Sequence, residues 1–325
     1  MDATRPTVLI AGKVYQRLPE RLGADFELVF AEKQERMPLD PTIAAQVRGV
    51  VVSGNFPGDW MAALPKLEII SVFGVGYDSI DVGEAAARGI VVTNTPDVLT
   101  DEVADTAIGL LINTIRQLPR AEWWLREGHW AAGEQFPLSP LSMNGRTVGL
   151  YGLGRIGLEV AKRLEGFKVD IAYNTRSPRT DVAYRYYPDL LAMATAVDTL
   201  IVIVPKTPET HKAVNAEVLR ALGPTGVLIN VGRGWCVDEQ ALIAALEKGV
   251  IAGAGLDVFY NEPNVPQELL TFPNVSVLPH VGSASVPTRN AMADLVVDNL
   301  VMWFTKGRVW TAVPETPVPS RYGLR

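Results

Sequence analysis

Three polar residues in the second half of the chain each follow a short apolar run. They are Arg233 after Val227–Val231, Glu262 after Gly255–Phe259, and His280 after Val275–Leu278. Such runs are typical of buried parallel strands, and in a doubly wound sheet the carboxyl ends of the strands line one crevice. We therefore expect the three side chains to lie together beside a ligand. Taken singly, each also has a structural interpretation: a surface charge, part of an Asn-Glu-Pro turn, and a histidine satisfied near a core.

Together, the three residue types suit the reduction of a ketone. Addition of hydride to a carbonyl produces an alkoxide that needs a proton donor, and histidine is the usual donor near neutral pH. Glu262, bonded to the far ring nitrogen of His280, would fix the tautomer and favour the imidazolium. Arg233 can hold the carboxylate of a 2-keto acid through two parallel hydrogen bonds and polarise its carbonyl. Of the other two histidines, His129 lies in an irregular aromatic segment and His211 follows a Pro-Glu-Thr sequence, so His280 is the predicted acid.

A glycine-rich stretch predicts a dinucleotide site. Gly152, Gly154 and Gly157 form a G-x-G-x-x-G pattern between an apolar run, Val148–Tyr151, and a segment with apolar residues at helical spacing. Glycines in this context let backbone N–H groups at a helix N-terminus approach a pyrophosphate. The alternative interpretation is an ordinary turn between a strand and a helix.

The next predicted strand, Val169–Tyr173, indicates which dinucleotide is bound. NAD-binding folds usually carry Asp or Glu at this strand end, where it holds the ribose 2′-hydroxyl. Here the position holds Asn174, and Arg176 and Ser177 follow. The missing carboxylate removes a repulsion toward a 2′-phosphate, and arginine supplies a partner for that group. The sequence therefore favours NADPH, with NADH as a weaker alternative, although Arg176 could also be an exposed loop residue.

A second turn in the first half of the chain could bind an anion. The apolar run Leu67–Phe73 leads into Gly74-Val75-Gly76, where glycines free backbone N–H groups at the end of a predicted strand. No G-x-G-x-x-G pattern follows the first strand, so we assign this part of the chain to something other than the dinucleotide. A simple glycine-relieved loop is the alternative.

Length and composition limit the class of protein. A chain of 325 residues suggests about two domains, and apolar runs alternating with helical segments, such as Pro41–Val47, predict parallel α/β sheets. The net charge of −6 argues against a nucleic-acid or anionic-membrane surface. The single cysteine, Cys236, fits a reducing compartment, and no Cys/His cluster predicts a metal site. Neither a signal peptide nor a membrane span is predicted, which favours the cytoplasm.

Two segments are organised differently from the rest. A long helix, apolar on nearly all sides, is predicted to begin at Val103, and we place the crossing between domains there. From Arg126 to Arg146 the regular pattern stops, and glycine, proline and aromatic residues are mixed. This segment is predicted to pack on another subunit or, as an open alternative, within its own chain.

Several motifs, in order, resemble those of the D-2-hydroxyacid dehydrogenase family, and the glyoxylate/hydroxypyruvate reductase branch most of all. They are Phe73–Asp78, Asn94–Val98, Gly152–Gly157, Asn230–Gly234, Val237–Glu239, Gly255–Phe259 and Leu278–Ser283. The resemblance implies a flavodoxin-like substrate-binding domain of residues 1–98 and 287–325, and a Rossmann dinucleotide-binding domain of residues 99–286. It also implies a homodimer.

The resemblance also implies roles for single residues. Arg233 and His280 would bind the substrate and, with Glu262, act in catalysis, while the Val75 and Gly76 N–H groups would hold the substrate carboxylate. Arg155 and Ile156 would touch the pyrophosphate, Arg176 and Ser177 the 2′-phosphate, and Asp257 the nicotinamide amide. The full set implied for the cofactor is Gly152, Gly154, Arg155, Ile156, Gly157, Asn174, Arg176, Ser177, Pro205, Thr210, Val231, Arg233, Asp257, His280 and Gly282.

The implied activity is NADPH-dependent reduction of glyoxylate and hydroxypyruvate to glycolate and D-glycerate. The acid partner at Glu262 disfavours formate dehydrogenase, whose family pattern lacks it. Trp130, Phe136 and Leu138 could shape a wider pocket, so an aromatic, phenylpyruvate-type substrate remains an alternative. A non-catalytic dinucleotide-sensing scaffold is the alternative from another class, but it would not need Arg233, Glu262 and His280 together.

Overall fold

The computed structural model describes residues 5–34 and 36–316. The chain divides into two compact units, Met1–Leu99 with Ala284–Arg325, and Thr100–Ser283. The part of the predicted first domain beyond residue 316 lies outside the described residues. Each unit is built on a parallel sheet whose strands alternate with helices, which confirms the predicted α/β class with two doubly wound sheets.

The first unit contains a five-stranded sheet in which all neighbouring pairs are parallel. Its strands are β1 (Thr7–Ala11), β2 (Glu27–Ala31), β3 (Val47–Val52), β4 (Ile69–Val72) and β5 (Val91–Thr93), and the helices between them are α1 (Arg17–Leu22), α2 (Pro41–Ala44), α3 (Gly58–Ala62) and α4 (Val82–Ala87). The spatial order β2-β1-β3-β4-β5 is that of a flavodoxin-like sheet. Every residue of β1, β4 and β5 is buried, because helices cover both faces of the sheet.

The helix predicted over Pro41–Val47 is too long. α2 begins after Asp40, whose side chain accepts the Thr42 N–H at 2.8 Å, and it ends at Ala44. Val47 instead begins β3 and pairs with β1, where it is fully buried. A β-branched side chain packs well on a pleated surface, so the sheet overrides the helical continuation that the local sequence allows.

The second unit contains a seven-stranded parallel sheet. Its strands are β6 (Thr147–Tyr151), β7 (Asp170–Asn174), β8 (Arg185–Tyr186), β9 (Thr199–Val202), β10 (Val227–Asn230), β11 (Gly253–Leu256) and β12 (Val275–Val277), and its helices are α5 (Thr100–Arg116), α6 (Leu118–Arg126), α7 (Arg155–Glu165), α8 (Leu190–Ala196), α9 (Ala216–Leu222), α10 (Glu239–Glu247) and α11 (Gln267–Thr271). The order β12-β11-β10-β9-β6-β7-β8 changes direction between β6 and β9. Ligands of doubly wound folds bind at such a switch point.

The prediction that the first long helix is apolar on nearly all sides is wrong. One side of α5 is exposed and includes Asp101 and Asp105, one helical turn apart. Both carboxylates accept hydrogen bonds from Arg163 of α7, at 2.9 and 2.5 Å. The opposite side is buried, so α5 is a one-sided helix whose polar stripe carries an ion-pair network.

The segment between α6 and β6 has no helix or strand among its described residues, as predicted. The ring of Phe136 packs edge-on against Trp124, with 5.6 Å between centroids. Trp130 is 69% exposed and Leu138 is 95% exposed, so the alternative that these two side chains are buried within their own chain is wrong.

The last described helix, α12 (Val286–Lys306), belongs to the first unit. Ser285 caps it by accepting the Thr288 N–H, and Asp294 accepts hydrogen bonds from Arg17 and Arg21 of α1 at 2.7 and 2.6 Å. Within residues 5–34 and 36–316, no helix combines the length and the apolar character needed to cross a membrane.

Candidate active site

Glu262 and His280 form a direct pair. His280 Nδ1 lies 2.7 Å from Glu262 Oε2, and the other carboxylate oxygen, Oε1, accepts the Phe259 N–H at 3.0 Å. The contact at Nδ1 leaves Nε2 as the ring nitrogen that can face a substrate. The side chain of His280 is 51% exposed, so a small molecule can reach it.

The charge of Glu262 is stabilised by its surroundings. Partial burial raises the pKa of Glu262, but hydrogen bonds from His280 and from the Phe259 N–H, with the positive charges of His280 and Arg233, outweigh burial and lower it below its ordinary value. Glu262 is therefore ionised at neutral pH and acts as an acceptor toward the His280 ring. Arg233, the third predicted residue, thus also helps to stabilise the negative charge of Glu262.

Arg233 lies at the carboxyl end of β10, as the sequence predicts. Only Val231 and Gly232 separate it from the strand. The side chain of Asn230 accepts the Gly232 N–H at 3.1 Å and donates to the Arg233 carbonyl at 2.9 Å. Asn230 is 1% exposed, so these bonds fix the path of the backbone that carries the guanidinium.

Asp257 holds the loop that carries His280. Its two carboxylate oxygens accept the N–H groups of Val281 and Gly282, at 2.7 and 2.9 Å, and its carbonyl accepts the His280 N–H at 2.8 Å. Burial raises the pKa of Asp257 against the lowering effect of those two N–H groups. His280 itself has φ of 54°, a left-handed conformation that costs a non-glycine residue energy and that these three bonds maintain. The predicted contact of Asp257 with the nicotinamide amide stays a prediction.

Two residues that follow Arg233 in the chain, Gly234 and Glu239, hold the loop that carries Glu262. Glu239, at the start of α10, accepts the Tyr260 N–H at 2.7 Å. Gly234 packs so tightly on the same peptide that a Cβ atom there would lie 1.9 Å from the Phe259 carbonyl carbon. The backbone after Arg233 and the backbone before Glu262 are therefore in direct contact, which fixes the spacing of the two loops.

The turn between β6 and α7 has the shape that a dinucleotide requires. Gly152 has φ of 105°, which side-chain-bearing residues avoid. A Cβ atom on Gly157 would lie 2.4 Å from the Gly152 carbonyl oxygen, so only glycine permits this approach of helix to strand. α7 begins at Arg155 behind Gly154, and the N–H groups of its first turn have no acceptor within the helix. With the switch point beside it, the turn fits a pyrophosphate.

The residues predicted to contact a 2′-phosphate follow β7. Arg176 and Ser177 are exposed, whereas Asn174 is buried and its amide donates to the Tyr187 carbonyl at 2.8 Å. A second arginine, Arg179, donates to the carbonyl of Leu153 in the glycine turn at 3.2 Å. The loop after β7 is therefore bonded to the glycine turn.

Two other predicted cofactor residues lie in the loop after β9. The Thr210 hydroxyl donates to the Pro205 carbonyl at 2.8 Å and accepts the Thr207 N–H at 2.9 Å. Val231, the residue after β10, donates its N–H to the carbonyl of Val202 at the end of β9. These contacts form the loop itself, and the cofactor contacts of Pro205, Thr210 and Val231 remain predictions.

Val75 and Gly76 belong to the first unit, in the turn that follows β4. The side chain of Asn94, just after β5, donates to the Val75 carbonyl at 2.8 Å. Sequence reasoning gave no role to Asn94, to Glu239 or to the Asp257 carboxylate as a loop clamp. The only signal for Asn94 was its place after a strand in a family motif, and for Glu239 its place in the family motif Val237–Glu239.

The comparisons with known proteins agree with this geometry. Residues 108–282 match the family model described as D-isomer specific 2-hydroxyacid dehydrogenase, NAD binding domain. Over 309 residues the chain is 46% identical to the glyoxylate/hydroxypyruvate reductase A of Arabidopsis thaliana, covering 94% of this chain and 98% of that one. It is 48% identical over 272 residues to a hydroxyphenylpyruvate reductase of Plectranthus scutellarioides, covering 83% and 86% of the two chains.

A solved structure shows the same likeness in three dimensions. The NADPH-dependent glyoxylate/hydroxypyruvate reductase of Sinorhizobium meliloti, crystallised with NADP and malonate, superposes with a TM-score of 0.95. It is 63% identical in sequence, and the match covers 97% of this chain and 98% of that one.

Proposed function

This chain belongs to the D-isomer specific 2-hydroxyacid dehydrogenase family and is an oxidoreductase, and we propose that it reduces glyoxylate and hydroxypyruvate with NADPH. The products are glycolate and D-glycerate. The observation that carries the proposal is the Glu262–His280 pair, with Arg233 beside it, in the same unit as the glycine turn. The 46% and 63% identical relatives that bear these activities in their names support the choice of substrate.

The chain's own residues account for binding and proton transfer. Arg233 holds the substrate carboxylate and polarises the ketone. The N–H groups of Val75 and Gly76, in the first unit, are proposed as binding groups for a carboxylate. NADPH, when bound, supplies the hydride. His280 gives the proton at Nε2 to the ketone oxygen as negative charge develops there, while Glu262 stays on Nδ1 and stabilises the ring orientation.

Activity is tested by following NADPH absorbance with glyoxylate, hydroxypyruvate and phenylpyruvate, each repeated with NADH. Rapid oxidation with the two small acids is the expected result. The second candidate, an aromatic 2-keto acid reductase, is favoured by the 48% identical hydroxyphenylpyruvate reductase. A higher kcat/KM for phenylpyruvate than for hydroxypyruvate would select it. Absence of turnover with all three acids, in protein that binds NADPH, would contradict both and leave the scaffold alternative.

Arg176 is proposed to select NADPH over NADH. Arg176→Ala is expected to raise KM for NADPH roughly 10- to 100-fold, the value of a lost hydrogen bond to a charged group, and to leave KM for NADH nearly unchanged. Arg185→Ala is the matched control, because it removes another exposed arginine, stacked on Tyr187, from the neighbouring strand. Equal losses for the two cofactors would refute the assignment of the 2′-phosphate.

We further propose that the protein is a homodimer formed through the segment around α6, and that it works in the cytoplasm, where a single cysteine suits reducing conditions. Support for the dimer comes from four apolar side chains that are more than half exposed: Trp123, Leu125, Trp130 and Leu138. Exposed apolar surface on this scale is typical of protein interfaces.

The dimer makes a direct prediction. Sedimentation equilibrium is expected to give about twice the chain mass of 35.3 kDa, and Trp130→Asp is expected to shift the mass toward that of one chain. Phe30→Asp, at an exposed aromatic of β2, is the control that should leave the mass unchanged. A wild-type protein with the mass of a single chain would contradict the proposal.

A further inference from the structure

We propose that Asn94 is a positioning residue that sets the direction of the Val75 and Gly76 N–H groups. The inference rests on the proposed function, in which these N–H groups bind the substrate carboxylate. We propose no direct contact between Asn94 and the substrate. It acts through the Gly74–Gly76 turn, and all residues involved belong to the first unit.

Two hydrogen bonds fix the two peptide groups of the turn. The Asn94 side-chain amide donates to the Val75 carbonyl at 2.8 Å, and the Thr95 N–H donates to the Gly74 carbonyl at 2.9 Å. In a trans peptide, the carbonyl and the N–H of the following residue point in opposite directions. Because both carbonyls are held toward Asn94 and Thr95, the N–H groups of Val75 and Gly76 are both directed away from them.

Two successive N–H groups directed to the same side of a turn can bind an anion. Successive backbone N–H groups that converge on one point bind carboxylates and phosphates. Glycine on each side of Val75 gives the free loop many conformations, since glycine restricts the backbone least. The bond from Asn94 selects one of these conformations before the substrate arrives. The loop therefore loses less conformational entropy when the substrate binds.

Asn94 is in turn held by the segment that follows α12. The Thr311 hydroxyl donates to the Asn94 carbonyl at 2.6 Å, and the Asn94 N–H donates to the Thr311 carbonyl at 3.3 Å. The buried Asn299 of α12 accepts the Thr311 N–H at 3.1 Å and donates to the Thr311 hydroxyl at 2.9 Å. A continuous set of hydrogen bonds thus runs from Asn299 through Thr311 and Asn94 to Val75.

The test uses full-length Asn94→Ala and Asn94→Asp with glyoxylate as substrate and oxalate as inhibitor. The Asp variant has the same shape but places an acceptor where the donor stood. We expect KM for glyoxylate and Ki for oxalate to rise together, about 10-fold, with kcat and KM for NADPH little changed. Oxalate binding is also measured by calorimetry, which does not depend on turnover.

Thr316→Val is the matched control. The Thr316 hydroxyl accepts the Val92 N–H at 3.1 Å, so the variant disturbs the packing of the same terminal segment on β5 but not the bond to Val75. It is expected to lower the unfolding temperature while leaving KM and Ki unchanged. Unchanged oxalate affinity in folded Asn94→Asp, or an equal loss in Thr316→Val, would overturn the inference. Absence of wild-type turnover would instead contradict the proposed function, and calorimetry would still decide the role of Asn94.

Discussion

Replacing His280 with alanine is expected to lower kcat for 2-keto acid reduction by roughly 10²- to 10⁴-fold, the usual contribution of a general acid. KM for NADPH is expected to change little, because we propose that backbone groups of the glycine turn bind the pyrophosphate. The measurement is steady-state kinetics with NADPH and glyoxylate. His129→Ala is the matched control, because it removes another histidine that contacts a glutamate, Glu134, at 2.9 Å. Near-normal turnover of His280→Ala would require a different proton donor.

The pH dependence of the wild-type enzyme provides a second measurement on the same pair. The rate of reduction is expected to fall as pH rises, because reduction of the ketone consumes a proton. On the acid side, the pKa of Glu262 lies below the ordinary value for glutamate, because its hydrogen bonds and nearby positive charges outweigh the effect of burial. Loss of the Glu262 charge is therefore expected at a lower pH than for an ordinary glutamate.

Arg233→Ala is expected to lower kcat/KM for glyoxylate by roughly 30- to 5,000-fold, because removing one partner of a desolvated charge pair costs about 2–5 kcal/mol. Both KM for glyoxylate and Ki for oxalate should rise, because the variant lacks the two-pronged contact with the carboxylate. Arg233→Lys should restore only part of the loss, since an ammonium cannot form two parallel bonds in one plane.

An independent readout separates this role from a general structural defect. Arg233 helps to lower the pKa of Glu262, so Arg233→Ala should raise that pKa and move the acid limb of the rate profile to higher pH. Arg220→Ala, at an exposed position of α9, is the control and should leave both the profile and kcat/KM unchanged. An unchanged acid limb together with unchanged oxalate inhibition would contradict the assigned role.

The sequence was sufficient for the features that depend on strand order. Arg233, Glu262 and His280 could be grouped because buried apolar runs predict strands, and the carboxyl ends of parallel strands share one edge of a sheet. The glycine turn could be identified because Gly152 and Gly157 meet steric requirements that residues with a side chain do not, the first through its positive φ and the second through its close approach to the Gly152 carbonyl. By contrast, β8 has only two residues, too few to leave a pattern, and its pairing with β7 alone defines it.

The missed features depend on where side chains point in three dimensions. Asn94 and Glu239 act through single hydrogen bonds to peptides about 20 residues away in the chain. The sequence shows that each is polar and follows or begins an element, but not which carbonyl or N–H it meets. The exposed stripe of α5 was missed for a related reason. Its few charged residues bond to Arg163 of another helix, and the sequence does not show that contact.

The division of the chain has a consequence for its synthesis on the ribosome. Residues 100–283 form one continuous unit, whereas the first unit needs both ends of the chain. The N-terminal half of that unit leaves the ribosome first, but α12 and Thr311, which hold Asn94, leave last. Folding by domain would therefore run out of sequence order, with the middle unit completed before the first one. A chain that ends at residue 283 should contain a folded middle unit preceded by a five-stranded sheet that lacks α12 and that a chaperone must shield.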